Sequence, residues 1–231
     1  MLIPEKEVHV YNLHSDDFKS NNKKYILSED EILKSERFRF EKDKINYVNC
    51  RSFLRILIGR YLECLPENIK FSYTKYGKPY IENVNLYFNL SHSSNHFVYA
   101  FGGNKNIGID TEFIKEMPDA LEIAKRYFSE YEFSEIVKAS KQNINKSFFK
   151  CWTRKEAFIK AIGEGLSYPL DSFSVTLNPE DKPEILWINN MKDETKHWSL
   201  YNLDFRRDFI TSLAIRERDV KIVYMNTDEL F

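Results

Sequence analysis

The sequence has no long run of apolar residues, and it is poor in cysteine, glycine and proline. Its 231 residues include three Cys, seven Gly and seven Pro, and the Gly and Pro do not cluster. A membrane-spanning helix needs ~20 mostly apolar residues, so we expect no transmembrane segment. The sequence also predicts no flexible linker. Because no Cys-x-x-Cys pair exists, we expect buried thiols at Cys50, Cys64 and Cys151 instead of zinc ligands or disulfides.

An excess of charge of either sign is also absent. Lys and Arg total 34 and Asp and Glu total 35, a formal net charge of −1. Binding to nucleic acid depends on a basic surface, so this balance argues against a nucleic-acid partner. The first residues, MLIPEKEVHV, lack the apolar block of a secretory signal. Together with the unpaired cysteines, this indicates a folded cytoplasmic protein with no membrane partner.

The apolar patterns predict an α+β fold with two similar lobes. Helices are predicted from about Asp43 to Glu63 and from about Asn145 to Ile162. Each helix is followed by short alternating segments that are typical of two β-hairpins. The repeated order predicts two lobes related by duplication, each a long helix packed on a small antiparallel sheet. A site between two such lobes is the first place to expect function.

We place the lobe boundary after the second predicted hairpin, just before the segment GIDTE. The N-terminal lobe covers 1–105, and the C-terminal lobe covers 106–231. The C-terminal lobe includes a connecting helical segment, 113–138, that is predicted to break near Ser129. This connector is either a packed linking helix or a surface on which a partner docks.

The segment GIDTE places two carboxylates on one face of a short strand. Side chains at i and i+2 of a strand point the same way, so Asp110 and Glu112 lie close together. Two such acids repel each other unless a positive charge lies between them. A divalent cation with hard oxygen ligands, such as Mg²⁺, meets that requirement. The alternative is a pair of solvated acids at the end of a strand.

A third carboxylate lies within an apolar helical stripe. Phe149, Trp152, Glu156 and Ile159 follow helical spacing, so Glu156 is expected to be buried. A buried carboxylate must be neutral, paired or bound to metal. Lys160, four residues later, offers an ion pair. The metal alternative would complete the set begun by the acid pair on the strand.

Candidate phosphate-binding residues are present without a glycine-rich loop. No Walker-type or dinucleotide-binding motif occurs, so a nucleotide must be held by side chains and ordinary turns. Basic residues are concentrated between Lys34 and Arg60, and Lys78 lies in the turn before Pro79. His92, in Ser-His-Ser, is either a phosphate ligand or a turn residue.

Four segments in order carry a resemblance: YGKPYI, FNLSHS, GIDTE and CWTRKEAFIKAIGEGLSYPLDSFSV. Together they resemble the Sfp-type 4′-phosphopantetheinyl transferases over about Ser28 to Leu177. The resemblance implies a pseudo-twofold fold of two α+β lobes with coenzyme A in the cleft between them. It implies a Mg²⁺-dependent transfer of 4′-phosphopantetheine from coenzyme A to a serine of an acyl or peptidyl carrier protein.

The resemblance also implies residue roles. The Mg²⁺ ligands would be Asp110, Glu112 and Glu156. The coenzyme A contacts would be Lys34, Arg51, Lys78, Pro79, Ser91, His92, Lys155 and Lys160, with Lys78 and Pro79 at the adenine nucleotide, Ser91 and His92 at the 3′-phosphate, and Lys155 and Lys160 at the pyrophosphate. The catalytic residues would be Asp110, Glu156 as the base and Lys160 at the leaving phosphate, with Glu132 as a further acid.

The implied carrier protein would dock on the connector, through the region of Phe113, Leu121, Tyr127 and Phe128. A monomer is expected because duplicated lobes can form the cleft within one chain. Two alternatives remain from the residues. One is a catalytically silent relative that binds coenzyme A or carrier protein, and the other is a different Mg²⁺-dependent phosphate-transferring enzyme.

Overall fold

The computed structural model describes residues 3–15, 24–178, 180–189, 191 and 193–227, the side chain of Leu166 excepted. In the first half a strand and two helices precede two hairpins. These elements are β1 (Glu7–His14), α1 (Glu29–Ser35), α2 (Glu41–Leu62), β2 (Ser72–Tyr73), β3 (Pro79–Tyr80), β4 (Tyr87–Ser93) and β5 (His96–Gly102).

The second half repeats this order and adds a strand at its end. Its elements are β6 (Ile107–Phe113), α3 (Ala120–Tyr127), α4 (Glu130–Lys138), α5 (Ile144–Ile162), β7 (Phe173–Val175), β8 (Ile185–Ile188), β9 (Ser199–Leu203), β10 (Phe209–Ile215) and β11 (Lys221–Tyr224). The predicted order of helix, hairpin and hairpin therefore occurs twice.

Two larger sheets contain most of the strands. The first has the order β11-β1-β5-β4, and the second has the order β6-β10-β9. Neighbouring strands are antiparallel except β11, which pairs in parallel with β1 through Glu7 and Lys221. The mixed α+β class with small antiparallel sheets is confirmed. β11 returns from the C-terminal half to the first sheet, and the boundary at 105/106 stays a prediction.

The long helices cover the outer faces of the two sheets. α2 packs on β5, where Phe53 contacts Phe97 at 6.4 Å between ring centroids and Tyr61 contacts Phe101 at 4.9 Å. α5 packs in the same way on β6 and β10. The inner faces meet in a third apolar layer that includes Val98 of β5. Alternation along β5 therefore sends aromatic residues to α2 and smaller aliphatic residues between the sheets.

Local capping signals set the ends of the second-half helices. The Ser129 hydroxyl accepts a hydrogen bond from the Glu132 N–H, and the Glu132 carboxylate accepts one from the Ser129 N–H. This capping box starts α4 and confirms the predicted break in the connector. Gly163 caps the C-terminal end of α5, and its φ of 78° is a left-handed conformation that glycine adopts without strain.

Other sequence expectations have mixed outcomes. The helices α2 and α5 lie within two residues of their predicted ends. The strands β1 and β11 were not predicted. Cys50 and Cys151 are buried as expected, but Cys64 is exposed because it follows the last turn of α2, which corrects that prediction. Across the described residues, no helix combines the length and apolarity needed to cross a bilayer.

Candidate active site

A glycine brings the acid-bearing strand against the long helix of the second lobe. A Cβ atom at Gly108 would lie 2.1 Å from the carbonyl oxygen of Ala157 and 2.4 Å from the amide nitrogen of Ala161. Only a residue without a side chain allows this approach of β6 to α5. The approach brings Asp110, two residues along β6, beside Lys160 of α5.

Asp110 is buried and shares one oxygen between two donors. Its Oδ1 accepts hydrogen bonds from the Ser91 hydroxyl at 2.8 Å and from the Lys160 ammonium at 2.6 Å. Lys160 also donates to the Ser91 hydroxyl at 2.9 Å. The second carboxylate oxygen, Oδ2, is buried and has no hydrogen-bond partner. Lys160 therefore pairs with Asp110 in place of the alternative partner on its own helix, Glu156.

Glu112 lies on the same side of β6, as the spacing predicted. Its Oε2 accepts a hydrogen bond from the Ser93 hydroxyl at 2.7 Å. Burial, with the charge of Asp110 adding to it, raises the pKa of Glu112 above its ordinary value. The two acids therefore face the same neighbouring strand, β4, from which the two serines project.

Glu156 has a strongly perturbed carboxyl group. It is 9% exposed, and its Oε1 is buried without a hydrogen-bond partner. Burial, followed by the negative charges of Asp110 and Glu112, raises the pKa of Glu156 to about 7, and Lys160 opposes that shift. Because the charges of Asp110 and Glu112 act on the pKa of Glu156, the three carboxyl groups lie near one another.

This donor set suits a hard divalent cation. Within the described ranges, no three His, Cys, Asp or Glu side chains are already arranged as a metal site. Two buried carboxylate oxygens, Asp110 Oδ2 and Glu156 Oε1, nevertheless lack any partner. Unsatisfied buried acceptors are costly, and a cation is a partner that carboxylate oxygens of this kind can take. Oxygen donors with this charge match the preference of Mg²⁺.

A cleft of about 260 Å³ links Glu156 to the first hairpin, and its lining residues include Lys78, Pro79 and Lys160. The Lys78 ammonium donates to the carbonyls of Ile107 at 2.9 Å and of Ala161 at 3.2 Å. Burial lowers the pKa of Lys78 to about 8. The side chain of Lys78 thus ties the hairpin to α5 and β6, and the predicted pair Lys78 and Pro79 borders the cleft.

Three other predicted coenzyme A contacts, His92, Lys34 and Arg51, lie around α2. His92 is exposed and lies edge-on to Phe97, on the face of β4 opposite Ser91. Desolvation of the ring by the protein around it, followed by the charge of Lys160, lowers the pKa of His92. Lys34 is exposed beside the Tyr47 ring, with its ammonium 5.6 Å from the ring centre.

Arg51 lies deeper than Lys34. Its Nε donates to a Glu31 carboxylate oxygen at 2.6 Å, and its Nη2 donates to the Tyr73 hydroxyl at 3.2 Å. Glu31 also pairs with Arg55 of the next turn. Arg51 therefore belongs first to a buried clamp between α1 and α2.

Lys155 differs from its sequence expectation. Its ammonium is 0% exposed and lies 2.8 Å from a carboxylate oxygen of Glu132, which is also 0% exposed. It also donates to the Leu170 and Phe173 carbonyls at 2.7 Å. Lys155 and Lys160 are five positions apart on α5, about 140° around the helix, so they face different sides. Lys155 is therefore not available to pyrophosphate, and Glu132 is not available as a base. The ion pair between them joins α4 to α5.

An apolar groove of about 680 Å³ begins beside Glu112 and follows the connector. Its lining includes Met117, Ile123, Tyr127, Phe149, Trp152 and Tyr168. Leu121 and Tyr127 of α3 are exposed, as expected for a docking surface. Phe128 is 5% exposed and stacks on Phe148, so its predicted place in a docking surface is wrong.

Sequence reasoning missed one group of site residues. Ser93 holds Glu112, and its neighbour on the same face of β4, Asn89, accepts a hydrogen bond from the Ile109 N–H at 2.8 Å. The signal was present as polar residues at alternate positions of β4, matching the alternate acids of β6. It could not be used because nothing in the sequence says that these two strands are neighbours.

Comparison with known proteins agrees with this architecture. The profile of the 4′-phosphopantetheinyl transferase superfamily matches residues 106–214, and that of the 4′-phosphopantetheinyl transferase N-terminal region matches 16–102. The 4′-phosphopantetheinyl transferase HetI of Nostoc is 32% identical over 215 residues, covering 90% of this chain and 87% of that protein. The 4′-phosphopantetheinyl transferase Sfp of Bacillus subtilis is 38% identical over 161 residues, covering 69% and 70%.

Among solved structures, the crystal structure of Thermotoga maritima holo-[acyl-carrier-protein] synthase aligns with a TM-score of 0.38 at 20% identity, covering 48% of this chain and 62% of that one. An overlap this low carries no weight here. The two profiles and the two relatives are sufficient: the chain belongs to the 4′-phosphopantetheinyl transferase superfamily. It is an enzyme of that class, a 4′-phosphopantetheinyl transferase, as the resemblance of its motifs implied.

Proposed function

We propose that this enzyme transfers 4′-phosphopantetheine from coenzyme A to a serine hydroxyl of an apo acyl or peptidyl carrier protein, with Mg²⁺ bound at the three carboxylates. The serine oxygen forms a bond to the β-phosphorus of coenzyme A. The bond between that phosphorus and the bridging oxygen breaks, which releases adenosine 3′,5′-bisphosphate. The observation that carries this proposal is the pair of unpartnered buried carboxylate oxygens beside Lys160.

Asp110, Glu112 and Glu156 would hold the metal ion. When bound, Mg²⁺ supplies neutralisation of the charge that develops on the pyrophosphate. The partnered oxygens of Asp110 and Glu112 already accept hydrogen bonds from Ser91 and Ser93, so these two acids are held in place. Preorganised ligands of this kind lose little entropy on binding.

One side chain of α5 would accept the serine proton, and another would stabilise the leaving group. Glu156 accepts the proton of the carrier serine, directly or through water. Lys160 donates a hydrogen bond to the leaving phosphate oxygen. Because the two residues are one helical turn apart, both face the cleft.

The nucleotide part of coenzyme A would lie along the 260 Å³ cleft, against the Lys78–Pro79 turn. His92 and Lys34 are exposed side chains near the N-terminal end of α2 that can reach the ribose 3′-phosphate. Arg51 contributes mainly by holding this surface together through Glu31.

The carrier protein would dock over the apolar groove and the exposed face of α3. Leu121 and Tyr127 supply apolar contact, and Lys125 and Arg126 supply positive charge beside them. A partner with an acidic helical surface fits this pattern. The groove starts at Glu112, so a serine presented there would be close to the acids. With the cleft within one chain, we propose a monomer that works in the cytoplasm.

Mass spectrometry tests the proposal directly. We expect an apo carrier protein incubated with the enzyme, coenzyme A and Mg²⁺ to gain the mass of one phosphopantetheine. Chelation of Mg²⁺ by EDTA should stop the gain, and added Mg²⁺ should restore it. No gain across acyl and peptidyl carrier proteins would overturn the proposal.

A further inference from the structure

The edge strands of the two sheets are joined by side chains near the site. Within the described residues, β4 and β6 share no backbone ladder. Asn89 of β4 instead accepts a hydrogen bond from the Ile109 N–H, and Ser91 donates to Asp110. These β4 residues are two positions apart, so they project from the same face toward β6.

Ser93 continues this series at the end that carries Glu112. Its hydroxyl donates to Glu112 Oε2 at 2.7 Å and accepts a hydrogen bond from the Phe113 N–H at 3.1 Å. A hydroxyl has one hydrogen. Because the oxygen already accepts from Phe113, that hydrogen is directed at the carboxylate of Glu112.

The geometry points to Ser93 as a positioning residue that fixes the Glu112 carboxylate for cation binding. This inference rests on the proposed function, in which Glu112 is a metal ligand. A glutamate side chain at a strand end has several rotamers, and the hydrogen bond from Ser93 selects one of them. Ser93 touches neither coenzyme A nor carrier protein in this scheme. Loss of such a supporting partner commonly weakens metal affinity ~10–100-fold.

An isosteric pair of variants isolates the hydroxyl. Ser93→Thr keeps it and Ser93→Val removes it, while both carry the same added bulk. Mn²⁺ affinity is measured by electron paramagnetic resonance with coenzyme A present and carrier protein absent. We expect Ser93→Val to bind Mn²⁺ about tenfold more weakly than Ser93→Thr, with the same KM for coenzyme A at saturating metal.

A matched control is available elsewhere in the chain. Ser72 donates to a carboxylate oxygen of Glu82 at 2.7 Å, the same contact outside the acid cluster. Ser72→Ala should leave Mn²⁺ affinity at the wild-type value. If Ser93→Val does not fold, Ser93→Ala takes its place against wild type.

Glu112→Gln separates the metal assignment of Glu112 from the positioning role of Ser93. If Glu112→Gln does not change Mn²⁺ affinity, the metal assignment in the proposed function fails. If Glu112→Gln weakens binding while Ser93→Val and Ser93→Thr bind Mn²⁺ equally, the positioning role fails and the metal assignment stands. A lower melting temperature for Ser93→Val with unchanged Mn²⁺ affinity would also overturn the positioning role.

Discussion

Replacing Gly108 by alanine should damage the site without removing any functional group. The added Cβ would lie 2.1 Å from the Ala157 carbonyl oxygen and 2.4 Å from the Ala161 amide nitrogen. Carbon needs ~3.3 Å or more from such atoms, so β6 and α5 must separate by about 1 Å. Overpacking of this kind costs ~1–3 kcal/mol of stability. Because a misplacement of about 1 Å can cost ~100-fold in rate, transfer should fall by about that factor.

Gly103→Ala is the matched control, since no atom lies within 4 Å of the position that its Cβ would take. Stability is measured by urea unfolding followed by tryptophan fluorescence, and activity by kcat/KM for phosphopantetheine transfer. Gly103→Ala should match wild type in both. The reasoning is refuted if Gly108→Ala also retains wild-type activity and the same unfolding midpoint.

Four other outcomes are expected. Asp110→Ala should abolish transfer while circular dichroism shows the fold intact; near-normal turnover at saturating Mg²⁺ would contradict its role as a ligand. Lys125→Glu with Arg126→Glu should raise the KM for carrier protein and leave the KM for coenzyme A unchanged, and an unchanged carrier KM would reject the docking surface. His92→Ala should remove most of the preference for coenzyme A over 3′-dephospho-coenzyme A, ~10-fold or more, and equal losses on both substrates would reject the phosphate contact. Burial lowers the pKa of His96 to about 4, so the unfolded chain, with an ordinary His pKa near ~6.5, takes up a proton that the folded one does not. The free energy of unfolding should therefore fall as pH drops from 6.5 toward 4, by about 2 kcal/mol at pH 5. Urea titrations at pH 7.5 and 5 should show a smaller pH dependence of stability for His96→Gln than for wild type. An equal pH dependence in the two proteins would contradict this role of His96.

Periodicity in the sequence was enough for the main helices and the strand that carries the acids. The apolar spacing in α2 and α5 reflects faces that had to be buried, and burial is what the structure shows for Phe53 and Ile159. The period of two in GIDTE placed Asp110 and Glu112 on one face, where both meet serines of β4. These are local properties, because they depend only on backbone geometry over a few residues.

Helical spacing also contained information that the motif resemblance obscured. Lys160 is one turn from Glu156 and faces the same way as Glu156. Lys155 directly precedes Glu156 in the sequence and faces the core. The structure pairs Lys155 with Glu132 and Lys160 with Asp110. A motif matched by letters treats both lysines alike, but the turn of the helix separates them.

Contacts between distant parts of the chain were decided only by the tertiary structure. The sequence could not show that Ser93 would meet Glu112, or that β11 would pair with β1, because each pairing depends on how the sheets are assembled. It could not explain the glycine of GIDTE either, since the atoms that exclude a side chain at Gly108 belong to a helix nearly fifty residues later. Local sequence therefore predicted which residues carry the chemistry, and tertiary packing determined which of them meet. The physical reason is that periodicity is set by neighbouring residues, whereas close approach of two backbones is set by everything packed around them.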